Sequence, residues 1–127
     1  MKKFIIISLL IPMLGFAQKK NKNSKENKEL IHLVLFKFKD NVSPAIFENE
    51  AYKFLNSINV VEDLLFSKNI SHEGFDRGFM YALSMKFNSE YDRDSIYLPH
   101  PKHLEFGKKY WDDYISNFVV YDYWEDK

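Results

Sequence analysis

Three side chains in this 127-residue chain combine a proton-moving type with a place where it could act. Tyr97 and His103 lie on either side of Pro99 and Pro101, in the run Tyr-Leu-Pro-His-Pro-Lys-His, close enough along the chain to meet. A neutral imidazole near pH 7 accepts a proton, and a phenol donates to a developing enolate oxygen. His32, the third, stands among apolar residues at a spacing that turns its ring toward an interior pocket. The plainer alternative is packing, with the Tyr97 hydroxyl bonded to His103 and His32 to a backbone carbonyl. His100 and His103 with His32 also offer three imidazoles, a set that zinc accepts. Against that, His100 precedes a proline and so stands outside regular helix geometry, and no carboxylate pair or cysteine completes a shell. No metal is expected. The chain has no phosphate-binding glycine loop, nucleophile elbow or dinucleotide fingerprint, so no cofactor is expected either.

The elements that must position these groups follow from apolar period. From Leu30 to Lys39 the pattern alternates, with His32, Val34, Phe36 and Phe38 on one face and Leu33 and Leu35 on the other, as in a strand. Ser43 and Pro44 suit the cap and first turn of a helix. Phe47, Ala51, Phe54, Leu55 and Ile58 then carry an amphipathic stripe to about Ile58. A second strand is predicted over 63–70, an exposed loop over 71–78 and a third strand over 79–87. A short helix capped by Ser89 is predicted to end near Tyr97, where the prolines force a turn. A second helix follows over 102–115, with His103, Phe106, Tyr110 and Tyr114 in one stripe, and a last strand over 118–124. Strand, helix, strand, strand, helix pair, strand is the order of an α+β, ferredoxin-like four-stranded antiparallel sheet with helices on one face. The other face exposes Leu33, Leu35 and one apolar side of the last strand, so a homodimer is the simplest cover.

These residues resemble the stress-responsive A/B barrel (Dabb) domain family. The resemblance rests on the opening strand from His32 to Asp40, the strand 79–87 with Gly78 before it, the Tyr-x-x-His-Pro-x-His run followed by Glu105-Phe106-Gly107, and the closing Tyr121-Asp122-Tyr123. It covers nearly all of 30–124 and implies a ferredoxin-like fold that dimerises sheet to sheet into an α/β barrel. Plant cyclases of the family close a polyketide chain by aldol condensation without metal or cofactor. That implies Tyr97 and His103 as acid and base, His32 as a pocket residue, and Val34, Phe36 and Leu83 as apolar lining. Phe106 is a further residue placed to fill such a pocket. Many members carry Thr-His early in the third strand; the pair here is Met80-Tyr81, so no imidazole stands there. Two functions from different classes fit: a small-molecule-binding dimer without turnover, for a small apolar or carbonyl-containing ligand, or a cofactor-independent proton-transfer enzyme.

The N-terminal residues carry an address. Lys2 and Lys3 precede an apolar run from Phe4 to Phe16, and Gly15 and Ala17 supply the small residues of a signal-peptidase site. The run is short of the roughly 20 residues that span a bilayer. Residues 1–17 are therefore expected to be a signal peptide, 18–29 a disordered Lys-rich tether and 30–127 the domain, exported to the periplasm or secreted, with no membrane attachment after cleavage. Beyond residue 29 the chain holds 11 basic and 16 acidic side chains, a balance that repels phosphate backbones and argues against nucleic-acid partners. With no cysteine, the core must hold without disulfides. Mass spectrometry of the exported protein is expected to find its first residue at or next to Gln18; a mature form that keeps Met1 would refute the address.

Overall fold

The computed structural model describes residues 27–127; the expected signal peptide, and the expected tether up to residue 26, lie outside the described residues. Strand β1 runs Lys28–Phe38, β2 Glu62–Lys68, β3 Tyr81–Phe87 and β4 Ile115–Asp126. All three pairings are antiparallel, in the order β2-β3-β1-β4. The first helix, α1, runs Pro44–Leu55. A π-helical segment, Asp92–Tyr97, carries the tyrosine at its end. The helix that carries His103 begins at Pro101–Phe106, passes through a π-helical turn, Gly107–Trp111, and closes with Asp112–Tyr114. The arrangement is the expected ferredoxin-like one. None of the helices among the described residues is long and apolar enough to cross a membrane.

Local chemistry sets the boundaries. Ser43 accepts a hydrogen bond from the Ile46 amide at 3.3 Å and Pro44 opens α1, as the capping signal predicts. The helix stops at Leu55, three residues short of the expected end, and Ile58 is buried from the turn that follows. Strand β3 starts at Tyr81 rather than 79, because the Phe79 amide donates to the Asp76 carbonyl at 2.9 Å and is lost to the sheet. At the other end of the domain, Lys28 and Glu29 belong to β1 and not to the tether. Lys28 pairs with Asp126 and Glu29 with Lys86, which gives these polar residues partners that a tether lacks. Strand β4 is five residues longer than predicted, since β1 offers a partner along its whole length.

Strand parity divides the sheet into two faces. His32, Val34 and Phe36 of β1, Met85, Leu83 and Tyr81 of β3, and Asp122, Val120 and Phe118 of β4 lie opposite one another in register on the helix side. The core there is aromatic: Phe36 and Phe47 are fully buried, with rings 5.5 Å apart, and Phe38, Phe66, Tyr81 and Trp111 close around Phe36. Burying a side chain of this size is worth about 1.5–3 kcal/mol, which is how a small domain without disulfides holds together. The outer face carries Leu33 and Leu35 beside Val119 and Tyr121, the last 61% exposed, with Leu65 of β2 further along. No helix among the described residues covers it.

Candidate functional site

A cavity of about 290 Å³ lies between the sheet and the two C-terminal helical segments. His32, Tyr97 and His103 all line it, so the structure brings the three predicted site residues together. The Tyr97 and His103 rings are 4.4 Å apart, and the His32 ring meets the Tyr97 ring edge-on at 5.9 Å. Phe87 packs on Tyr97 at 5.0 Å and fixes the phenol from behind. Val34, Leu83 and Phe106 form part of the apolar wall, as expected. Phe36 does not line the cavity. It has the right face but the wrong depth: two residues beyond Val34, it is wholly enclosed by the aromatic core.

The proline turn holds Tyr97 and His103 through backbone bonds. The His100 amide donates to the Tyr97 carbonyl at 3.0 Å, and the Leu104 amide to the His100 carbonyl at 3.0 Å. His103 Nδ1 donates to the Leu98 carbonyl at 2.9 Å. A carbonyl only accepts, so Nδ1 carries the proton and Nε2 keeps its lone pair. The bonds of the packing alternative are not those the molecule makes: Tyr97 does not bond to His103, and His32 bonds to a carboxylate rather than a carbonyl. Among the described residues, neither Tyr97 Oη nor His103 Nε2 has a hydrogen-bond partner. His100 is spent on the helix start, where its Nδ1 accepts from the Lys102 amide at 3.1 Å. The described residues contain no group of three or more His, Cys, Asp or Glu side chains able to hold a metal.

Burial sets the protonation of the pair. It pushes the Tyr97 phenol well above its ordinary value of 10, with the Asp122 charge adding to the effect, so the hydroxyl stays a donor. It holds the His103 imidazole below its ordinary 6.5, assisted by His32 and His100 and opposed by the Leu98 carbonyl. The ring is a neutral base at physiological pH.

Several residues at the cavity escape a reading of the sequence. Asp122 sits opposite His32 in the register, and its Oδ1 accepts from His32 Nδ1 at 2.7 Å. Arg93 donates from Nη1 to the other oxygen of Asp122 at 2.8 Å. The pairing of β1 with β4 was the available signal: parity counted along both strands puts Asp122 on the helix side. Trp111, Phe118 and Val120 complete the wall, and Phe118 and Val120 are each 49% exposed where the cavity opens at the β4 edge.

Comparison with known proteins places this geometry. A sequence model of the stress responsive A/B barrel domain matches residues 30–125. Olivetolic acid cyclase of Cannabis sativa is 27% identical over 95 residues, which span 72% of this chain and 92% of the cyclase. A Dabb family protein of Mesorhizobium loti with a ferredoxin-like fold superposes with a TM-score of 0.65 at 24% identity, covering 76% of this chain and 95% of that one. A dimeric ferredoxin-like protein of unknown function from Bacteroides fragilis does so at 0.57 and 22%, covering 75% and 94%.

The lowered value of His103 has a consequence for stability. Between that value and 6.5 the unfolded chain binds more protons than the folded one, so stability rises with pH there. The contribution is complete above 6.5 and is lost as pH falls through the folded value. Melting temperature is therefore expected to fall more in the wild type than in His103→Asn between about pH 7.5 and about pH 5. Equal falls would show that this imidazole stays solvated.

Proposed function

The chain belongs to the stress-responsive A/B barrel domain family, and from that premise we propose that it forms an exported homodimer in which each protomer binds a small, largely apolar ligand bearing a carbonyl group. We further propose that His103 and Tyr97 move a proton on that ligand without metal or cofactor. The observation that carries the reading is the contact of an unpartnered phenol with an imidazole whose Nε2 is free, both on the wall of one apolar cavity. A cavity of about 290 Å³ is at the small end of ligand sites, which run to about 1,000 Å³. Such a volume suits a compact molecule rather than a peptide or nucleotide.

The chemistry follows from the two neutral groups. His103 Nε2 takes a proton from the carbon next to the carbonyl, and the electron pair of that C–H bond moves into the carbon–carbon bond of an enolate. The Tyr97 hydroxyl donates a hydrogen bond to the enolate oxygen, whose charge would otherwise sit in an apolar wall. Return of the proton from the imidazolium to carbon regenerates both partners; alternatively the enolate carbon bonds to a second carbonyl carbon and closes a ring, that carbonyl's π pair moving to its oxygen, which takes the imidazolium proton. A relative that is a cyclase supports this class of step.

Export is supported by the basic, apolar and small-residue pattern of residues 1–17. The homodimer is supported by the uncovered face around Leu33, Leu35, Val119 and Tyr121, and by the dimeric Bacteroides fragilis protein of the same fold.

Two experiments test these readings. In heavy water the mature protein is expected to exchange the methyl hydrogens of acetophenone for deuterium, followed by proton NMR. Tyr97→Phe and His103→Asn should each slow that exchange by about 100-fold or more, while the ketone still binds. Binding with no exchange above the buffer rate would leave a binding module and remove the catalyst. Sedimentation is expected to show a dimer at micromolar concentration and a monomer for Leu35→Glu, whose charge would be buried unpaired. A monomeric wild type would refute the dimer.

A further inference from the structure

The proton-transfer reading makes no use of Arg93, yet this side chain is the most fully engaged charge near the cavity. It stands four residues before Tyr97 on the same π-helical segment. Its Nε and Nη2 donate to the two oxygens of Asp94 at 2.7 and 3.2 Å, and its Nη1 donates to Asp122 Oδ2 at 2.8 Å. Asp122 Oδ1 accepts from His32 Nδ1 at 2.7 Å. The four residues thus form a line from an exposed carboxylate, through a guanidinium whose side chain is 19% exposed, to a carboxylate at 22% and an imidazole on the cavity wall. The line also crosses elements, because it ties the segment that ends in Tyr97 to the strand pair that carries His32.

We propose that Arg93 is a positioning residue for the cavity: it clamps one oxygen of Asp122 so that the other is presented to His32, and thereby holds His32 and Tyr97 in one fixed arrangement. The argument is geometric. A carboxylate can only accept, and here each oxygen has a single charged or polar donor. Remove Arg93, and Oδ2 is left in a mostly enclosed site without a donor, so the group is free to rotate toward solvent and release His32 Nδ1. The planar guanidinium holds two carboxylates in a fixed fork, which an ammonium cannot copy. Exposed ion pairs are worth little, but this one is largely enclosed and charge-assisted at both ends. The other titratable groups that face His32 are Tyr97 from the same segment as Arg93 and His103 from the following helix. Neither of them bonds to it.

The effect of Arg93 on rate rests on the proton-transfer reading; its effect on His32 does not. Long-range proton–nitrogen NMR of the imidazoles separates the two. The wild type is expected to give one set of His32 signals with the proton on Nδ1. Arg93→Gln is expected to broaden or split that set, with amide protection of β1 and β4 unchanged. In the acetophenone exchange assay the same variant should lose about tenfold or more in rate at saturating ketone, with affinity within about twofold, as a misplaced group does. Arg93→Lys should fall between the two. If the wild type shows no exchange, the proton-transfer reading fails and the His32 signals alone decide the role of Arg93. If Arg93→Gln does not fold, Arg93→Lys decides it. His32 signals that superpose on those of the wild type in the variant that folds would overturn the proposal.

Discussion

The register between β1 and β4 is the constraint on which the rest of the site depends. It runs without a shift from Lys28 opposite Asp126 to Lys37 opposite Asn117, and it puts His32 directly across from Asp122. Side chains alternate with period two, so a slip of one residue would turn His32 and Val34 outward and bring Leu33 and Leu35 in. The alternation of β1 resists that slip, because its helix-facing positions end in Phe36 and Phe38, which pack into the aromatic core. Carboxylates at the strand ends add sign: Lys86 of β3 draws Glu29 of β1 and Glu125 of β4 to itself, a meeting that only this register allows. The chemistry of the cavity is therefore specified by packing several residues away from it.

One physical cause, removal from water, prepares both members of the Tyr97–His103 pair. It disfavours the charged form of each, which raises a phenol and lowers an imidazole. The result is a phenol that keeps its proton beside an imidazole with one unprotonated nitrogen, the opposed pair of states that the proposed proton transfer requires. Burial is costly for groups left unpaired, and the structure limits the cost by bonding each imidazole at Nδ1 only, to Leu98 in one case and to Asp122 in the other. What remains free among the described residues is one nitrogen on each imidazole and the hydroxyl on Tyr97.

Much of this was legible in the sequence, and the misses have physical reasons. Strand parity placed His32 and Val34 on the helix side, the family resemblance put Leu83 on the cavity wall, and the two prolines brought Tyr97 and His103 to the same turn. The resemblance put Phe36 on the cavity wall too; parity gives it the right face but reports nothing of depth, and Phe36 belongs to the core. Nothing in the local pattern distinguishes Asp122 from Glu125; pairing with β1 separates the two, with Asp122 turned to the cavity side and Glu125 turned to Lys86. Arg93 had no signal of its own, since nothing in a single helix shows which strand its guanidinium will reach. The helical boundaries were legible to within a few residues, whereas the two π-helical turns were not, because their extra residue per turn leaves no mark on the apolar pattern.

Those π-helical turns explain how so small a domain keeps a cavity open. The Gly107–Trp111 turn carries Trp111 to a place where its ring touches Phe36 at 5.4 Å and Phe47 at 6.0 Å on the core side, and Phe118 at 5.2 Å on the cavity side. One residue thus belongs to both the packed interior and the wall. The Asp92–Tyr97 turn does the same with Tyr97, which packs against Phe87 behind it and His103 in front. A cavity between a sheet and regular helices would close if side chains could relax into it. Here its walls are rings already held by the core, so collapse would have to break aromatic contacts that stabilise the whole domain. The open site is sustained by the same Phe-rich interior that replaces disulfides in this cysteine-free chain.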